Sequence, residues 1–318
     1  MSINGVNSKL LPITCGVPQG SILGPLLFLL YINDMDNVSS LLKNILFADD
    51  TNMIFSCSNL DGFQEKLNLE LARVAKWFKA NKLTINYEKS NYMVFNKKYQ
   101  NRLDLFLDNN QLTEVSNVKF LGLQIENNLT WKKQIKHVES KVSKGLGILK
   151  QLRKIFDNDT LYMIYCTLIF PYIDYCNEIW GNTFSSHVQK LSILQKKAMR
   201  IIDGLNYRDS TRGTFVKYKC LKLVDFIRFK TCIHIFKASS NQLPYNLQKR
   251  YKKVNEVHRY NTRSCNDLYR AKCKKNLKQN NISISGVKLF NNLPAYIREA
   301  KTLRQFKKRL KLYYIQNM

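Results

Sequence analysis

Apolar positions change their period several times in the first 126 residues and then keep an almost wholly helical period, interrupted at residues 249–285. The run LLFLLYI at 26–32 follows Pro25, a residue that the first turn of a helix tolerates, and predicts a buried helix. Ile45–Ala48 and Thr51–Ser56 read as two short strands that meet at Asp49 and Asp50. From Phe63 the apolar residues fall at Leu67, Leu71, Val74 and Phe78, a helical period that ends near Asn81. The period then becomes two. TINYEKSNYMVF at 84–95 reads as strands, and Leu103, Leu105 and Leu107 alternate with polar residues before the turn signal Asp108-Asn109-Asn110. A last strand is predicted at Val118–Ile125, which makes the first section α+β.

Beyond Trp131 the pattern is helical. Ile135, Val138, Val142, Leu146, Leu149 and Leu152 form one stripe, with Lys133, Lys136, Lys144 and Lys154 on the opposite arc. Further helices are predicted through Leu161–Trp180, interrupted by Pro171, through Val188–Ile202 and through Phe226–Ala238. Residues 249–285 are dense in Lys, Arg and Asn and read as a loose basic connector, followed by an amphipathic helix on Leu303, Phe306 and Leu310. Three regions result: 1–126, 127–248 and 249–318.

Charge sharpens this division. The chain of 318 residues has a formal charge of +28, yet residues 1–130 carry 12 basic and 12 acidic side chains, so the whole excess lies beyond them. A neutral first part and a strongly basic second part suggest chemistry in one and grip on a polyanion in the other. With 45% hydrophobic residues the chain buries a real core and is not a disordered polycation. The eight cysteines are scattered without a CxxC pair, and His258, Cys265 and Cys273 match no zinc spacing, so reduced thiols are expected. No basic-then-apolar leader opens the sequence, and the uncharged stretches at Ile22–Ile32 and Leu161–Ile173 are too short to span a bilayer. An intracellular protein, in nucleus or cytoplasm and without a membrane partner, is expected.

Two adjacent carboxylates at a strand-to-strand turn repel each other unless a cation sits beside them, and a hard divalent ion suits such oxygens. A metal-free turn would also use Asp-Asp, because aspartate is a good turn residue. The surroundings decide between these readings. GVPQGSILGPLLFLLYIND at 16–34, FADD at 47–50, WFKANKLTINYEKSNYMVF at 77–95 and VKFLGLQI at 118–125 resemble, in order and spacing, the palm of reverse transcriptases, those of jockey-like non-LTR retrotransposons above all. The resemblance covers Thr14–Ile125, and Leu129–Trp180 more weakly resembles the thumb of the same enzymes.

The resemblance implies a partial palm, an antiparallel sheet with packed helices, followed by a helical thumb and a basic, mostly helical C-terminal region. It implies RNA-directed DNA polymerase activity with Mg2+ as cofactor, and an RNA template and DNA primer, or their hybrid duplex, as partners. Asp49 matches a ligand of the catalytic magnesium ions, with Asp50 its neighbour and Ala48 at the variable position beside the metal. The pair is expected at a hairpin tip near the end of a three- or four-stranded sheet, with the Gly16–Gly20 loop beside it. Gly16, Pro18, Gln19, Gly20 and Ser21 resemble the loop and helix start that press on the template and the incoming base pair. Glycines let the backbone approach a base pair, and a helix N-terminus favours phosphate. Lys89 matches the lysine near the departing pyrophosphate, and Phe120, Leu121 and Gly122 the primer-gripping hairpin. Lys133, Lys136, Lys144 and Lys154 are expected to face phosphates.

One departure stands against these matches. In the family a further aspartate, on a strand preceding the Pro-Gln-Gly motif, bridges both metal ions. The residues before Thr14, MSINGVNSKLLPI, contain no acid. The expectation is therefore a chain that is incomplete as a polymerase, with the missing N-terminal part of the element protein as a further partner. The alternative is a non-catalytic nucleic-acid-binding remnant.

Overall fold

The computed structural model describes all residues except 1, 4, 8, 10–15, 18, 19, 58–61, 96–101, 259 and 261–264. The chain forms two compact units, Met1–Val115 and Ser116–Met318.

In the first unit, β1 (Ser2–Ile3) pairs with β2 (Val6–Asn7). Helix α1 (Leu23–Ile32) runs into a 3-10 turn at Asn33–Asn37, and β3 (Lys43–Phe47) pairs antiparallel with β4 (Asp50–Ile54). Helix α2 (Phe63–Ala80) forms because its apolar residues recur at helical spacing, and it buries Leu67, Leu71, Val74 and Ala75. The Asn81 side chain closes it by donating to the Trp77 carbonyl at 3.0 Å. The core of this unit adds Met35, Leu42, Leu103, Leu105, Leu107 and Leu112, with Leu46 and Met53 from one face of the β3–β4 hairpin against it. Asp34 accepts from the Trp77 indole N–H at 3.3 Å, and the Tyr31 hydroxyl donates to the Asn81 carbonyl, so the end of α1 is tied to the end of α2.

Three expectations for this unit need correction. Helix α1 is not buried: Leu23, Leu26, Leu29 and Leu30 are 54–67% exposed, and only Ile32 is inside. Its residues are apolar on every side, so no single contact could cover it. The β3–β4 hairpin is a two-stranded sheet among the described residues rather than part of a three- or four-stranded one. Segment 84–95 is mostly not strand. Asn86 accepts from the Lys89 amide at 3.2 Å and nucleates a 3-10 turn at Tyr87–Lys89, leaving only β5 (Asn91–Tyr92), which pairs in parallel with β8 (Thr113–Glu114). The turn at Asp108 and Asn109 is present, with φ 51° and 41°, and joins β6 (Phe106–Leu107) to β7 (Asn110–Gln111).

The second unit opens with β9 (Asn117–Phe120) and β10 (Leu123–Glu126). The single strand predicted at Val118–Ile125 is thus a hairpin, because Leu121 and Gly122 turn the chain with φ 44° and 85°. Helix α3 (Lys132–Leu152) follows and buries Ile135, Val138, Val142, Leu146 and Leu149 as its stripe predicts. Buried Glu126 accepts from the Lys133 amide at 3.0 Å, and Gln134 accepts from the Gln124 amide at 2.9 Å. These bonds fasten hairpin to helix, and the first of them satisfies an amide at the start of α3.

Pro171 separates α4 (Asn158–Leu168) from α5 (Phe170–Asp174), and extended Tyr175 with left-handed Cys176, φ 52°, separates α5 from α6 (Asn177–Trp180). Helix α7 (Ser185–Asp203) packs along α3, and α8 (Arg212–Lys217) leads to α9 (Leu223–Ser239), the central helix of the unit. Buried Gln195 donates to the Leu221 carbonyl at 3.1 Å and accepts from the Leu223 amide at 2.7 Å, which fixes the entry to α9.

After α10 (Tyr245–Gln248), the basic stretch contains α11 (Val254–Val257) and α12 (Asn276–Gln279), and is more anchored than a loose connector. Lys253 and Leu268 form an antiparallel bridge, and the Asn291 side chain both donates to the Leu268 carbonyl and accepts from its amide. Helix α13 (Ile282–Asn291) crosses α9 at Gly286, where a Cβ would stand 2.9 Å from the Thr231 methyl, so the close approach needs glycine. After α14 (Ala295–Arg298), helix α15 (Leu303–Gln316) stacks Phe306 on Phe236 with ring centroids 4.2 Å apart.

Candidate nucleic-acid and metal site

The β3–β4 register pairs Phe47 with Asp50, so Ala48 and Asp49 are the two turn residues and Asp50 begins the second strand. A two-residue hairpin of this kind takes a primed turn, which needs positive φ at its first central position. Ala48 supplies it with φ 50°, a conformation that costs an L-residue about 1–2 kcal/mol. Strain is therefore stored directly beside Asp49. Both aspartates are exposed, and neither carboxylate has a hydrogen-bond or ion-pair partner among the described residues. Asp50 shares a face with Ile45, Phe47 and Ile54, which are 39%, 60% and 50% exposed.

Two adjacent carboxylates suit one magnesium ion that keeps waters and takes phosphate oxygens as its other ligands. No group of three or more His, Cys, Asp or Glu side chains converges among the described residues. The donor set thus fits one wall of a metal site.

Of the other expected residues in this unit, Gly16 and Gly20 take φ 82° and 90°, and Ser21 is half-buried just before α1. Pro18 and Gln19 lie outside the described residues. Lys89 is exposed at the end of its 3-10 turn, and no bond joins it to Asp49 or Asp50 among the described residues.

In the second unit Phe120 ends β9, and Leu121 and Gly122 form the β9–β10 turn. Its anchor was not foreseeable from residue spacing. Tyr175, just beyond the end of α5, donates its hydroxyl to the Leu121 carbonyl at 2.5 Å, and its ring lies 3.4 Å from where a Cβ on Gly122 would be. Partial desolvation raises the Tyr175 hydroxyl above its ordinary pKa, aided by the neighbouring Cys176. No short-range pattern links residues 54 apart in sequence. Lys133, Lys136 and Lys144 are exposed along α3, and Lys154 is exposed just beyond its end.

Residues 1–125 match the family described as reverse transcriptase (RNA-dependent DNA polymerase). That stretch is similar to reverse transcriptases. Across a longer stretch the chain is 30% identical over 207 residues to the probable RNA-directed DNA polymerase from transposon X-element of Drosophila melanogaster, covering 61% of this chain and 22% of that relative. It is 26% identical over 236 residues to the RNA-directed DNA polymerase from mobile element jockey of the same species, covering 71% and 26% respectively. The type-1 retrotransposable element R1 2 polyprotein of Nasonia vitripennis is 25% identical over 179 residues, covering 52% of this chain and 43% of the relative. The chain therefore spans about a quarter of the length of the X-element and jockey proteins. No solved structure matches it. Among the described residues no helix is long and apolar enough to cross a membrane.

Proposed function

We propose that this chain is part of an RNA-directed DNA polymerase from a jockey-like retrotransposon, acting inside the cell on an RNA template and a DNA primer. The observation that carries the reading is the Asp49–Asp50 hairpin tip. Two exposed carboxylates, unpartnered among the described residues, stand beside a strained alanine within the stretch that matches the reverse-transcriptase family. On this reading residues 1–126 are part of a palm, 127–248 a thumb and 249–318 a basic appendage.

Asp49 and Asp50 would hold Mg2+, which supplies charge neutralisation for phosphoryl transfer when bound. Gly16, Pro18, Gln19, Gly20 and Ser21 would line the template and incoming nucleotide, and Lys89 would neutralise the departing pyrophosphate. Phe120, Leu121 and Gly122 would seat the primer end, with Tyr175 holding that turn in place. Lys133, Lys136, Lys144 and Lys154 would meet duplex phosphates.

The lack of a third acid near the pair among the described residues supports incompleteness: the bridging aspartate would come from the preceding part of the element protein. It equally supports the second reading, a remnant that binds nucleic acid without catalysis. Primer extension on an RNA template with Mg2+ separates these readings. The chain alone extends nothing. With the preceding element sequence restored it extends the primer, and Asp49→Asn lowers the rate by about a thousand-fold, the scale of several kcal/mol of transition-state charge stabilisation. Extension by the restored protein that is indifferent to Asp49→Asn overturns the assignment.

A further inference from the structure

The last turns of α3 and α7 enclose an open hollow of ≈ 310 Å³ whose walls include Lys150, Arg153, Lys197, Arg200 and Tyr207. Its floor is set by Gly204, which ends α7 with φ 64° and lets the Leu205 amide return to the Arg200 carbonyl at 2.9 Å. The Arg153 guanidinium lies where a Cβ on residue 204 would be, so that glycine also makes room for it.

The two arginines are held in place. Arg153 donates to the Ile202 carbonyl at 3.0 Å and to Asn158 Oδ1 at 2.5 Å, and Arg200 donates through Nε to the Asp209 carbonyl at 3.3 Å. The nearby acids are engaged elsewhere. Asp203 pairs with Lys217 and accepts from Thr214, and the Asp209 carboxylate accepts from the Asn206 amide at 2.7 Å. None of Lys150, Arg153, Lys197 and Arg200 has an ion-pair partner among the described residues.

Cations at helix C-termini complement the helix dipole, and that accounts for part of this arrangement. It does not account for Tyr207, which is 87% exposed with its ring 5.8 Å from the Arg200 guanidinium. Unneutralised cations around a hollow, beside an aromatic ring open to solvent, are what a single-stranded polynucleotide requires: phosphate in the basic pocket and a base on the ring. A duplex hides its base faces and would leave the tyrosine unused. A lipid surface would need exposed apolar side chains to insert, whereas Ile201 and Leu205 are half-buried in the lining and Tyr207 alone of its apolar groups is exposed.

We infer that this hollow is a binding site for single-stranded nucleic acid, in which Lys150, Lys197 and Arg200 receive a backbone phosphate and Tyr207 stacks on the neighbouring base. The inference rests on the nucleic-acid reading above only for its class of partner.

Fluorescence anisotropy with the full chain and an unstructured oligouridine or oligothymidine of about 12 nucleotides tests it. Tyr207→Ala weakens binding by about 5-fold or more, while Tyr207→Phe leaves it unchanged. An abasic oligomer of the same length removes the difference between wild type and Tyr207→Ala. Lys197→Gln with Arg200→Gln lowers the log–log salt slope by about 0.7 for each phosphate that the variant no longer neutralises. Equal affinity of wild type and Tyr207→Ala overturns the site and leaves the nucleic-acid reading standing. No binding by the wild-type chain overturns both. Phosphatidylserine vesicles that bind the wild type and lose binding in the same variants overturn the class of partner.

Discussion

Helices α1 and α9 pose the same problem and meet opposite ends. Neither is strongly sided: α1 is apolar all round, and α9 has buried residues on several of its faces. In the second unit α6, α7, α13 and α15 pack around α9, and Leu223, Cys232 and Ile235 are wholly buried. In the first unit α1 keeps most of its leucines in solvent. A helix that lacks a polar face must be covered on several sides, and each large side chain left open forfeits roughly 1.5–3 kcal/mol of burial. The second unit is therefore self-sufficient. The first carries motif-bearing elements whose apolar surfaces the described residues leave open, on α1 and on the Ile45–Phe47–Ile54 face of the hairpin.

Three variants test this contrast. The largest effect is expected in the helical unit. Trp180 is fully buried and donates to the Tyr175 carbonyl at 2.8 Å, so Trp180→Ala destabilises that unit by about 3–5 kcal/mol, read as a fall in the urea midpoint of the main helical transition. A loss below about 1 kcal/mol would mean that the second core is as open as the first.

A smaller change of opposite sign is expected at the hairpin tip. Ala48→Gly relieves the left-handed backbone and stabilises the hairpin by about 1 kcal/mol, visible as slower amide exchange across β3 and β4. Unchanged or faster exchange would show that missing cover, and not backbone strain, limits the hairpin.

The smallest effect is expected on α1 itself. Leu26→Gln with Leu30→Gln changes stability by no more than about 0.5 kcal/mol for each site and raises solubility, because both side chains already face water. A loss of several kcal/mol on equilibrium unfolding would mean that α1 is covered in solution.

Much of this arrangement was legible from residue spacing. The stripes of α2 and α3, the turn at Asp108 and the hairpin at Asp49 each rest on interactions within a few residues, where period and turn chemistry are informative. Segment 84–95 misled because its alternating apolar residues suggest a strand, while one polar side chain, Asn86, captured the backbone locally. The run at 26–32 misled for another reason: composition reports that a helix wants burial, not whether anything is there to bury it. Of the candidate site, Asp49 and Asp50 were visible as a pair. The hold of Tyr175 on Leu121, and the meeting of Lys150 with Arg200, join distant residues in ways that no local spacing encodes.

The Asn291 side chain treats Leu268 as a neighbouring strand would, taking its amide and returning a hydrogen to its carbonyl. Arg298 adds an ion pair of 2.6 Å to Asp267, the residue before it. Lysines on a loose tail must surrender chain entropy each time they close on a polyanion. At residues 267 and 268 that ordering has already been settled by folding, so Arg270, two residues on, carries its charge from an ordered segment. A cation ordered in this way loses less entropy on meeting any polyanion than one on a flexible tail.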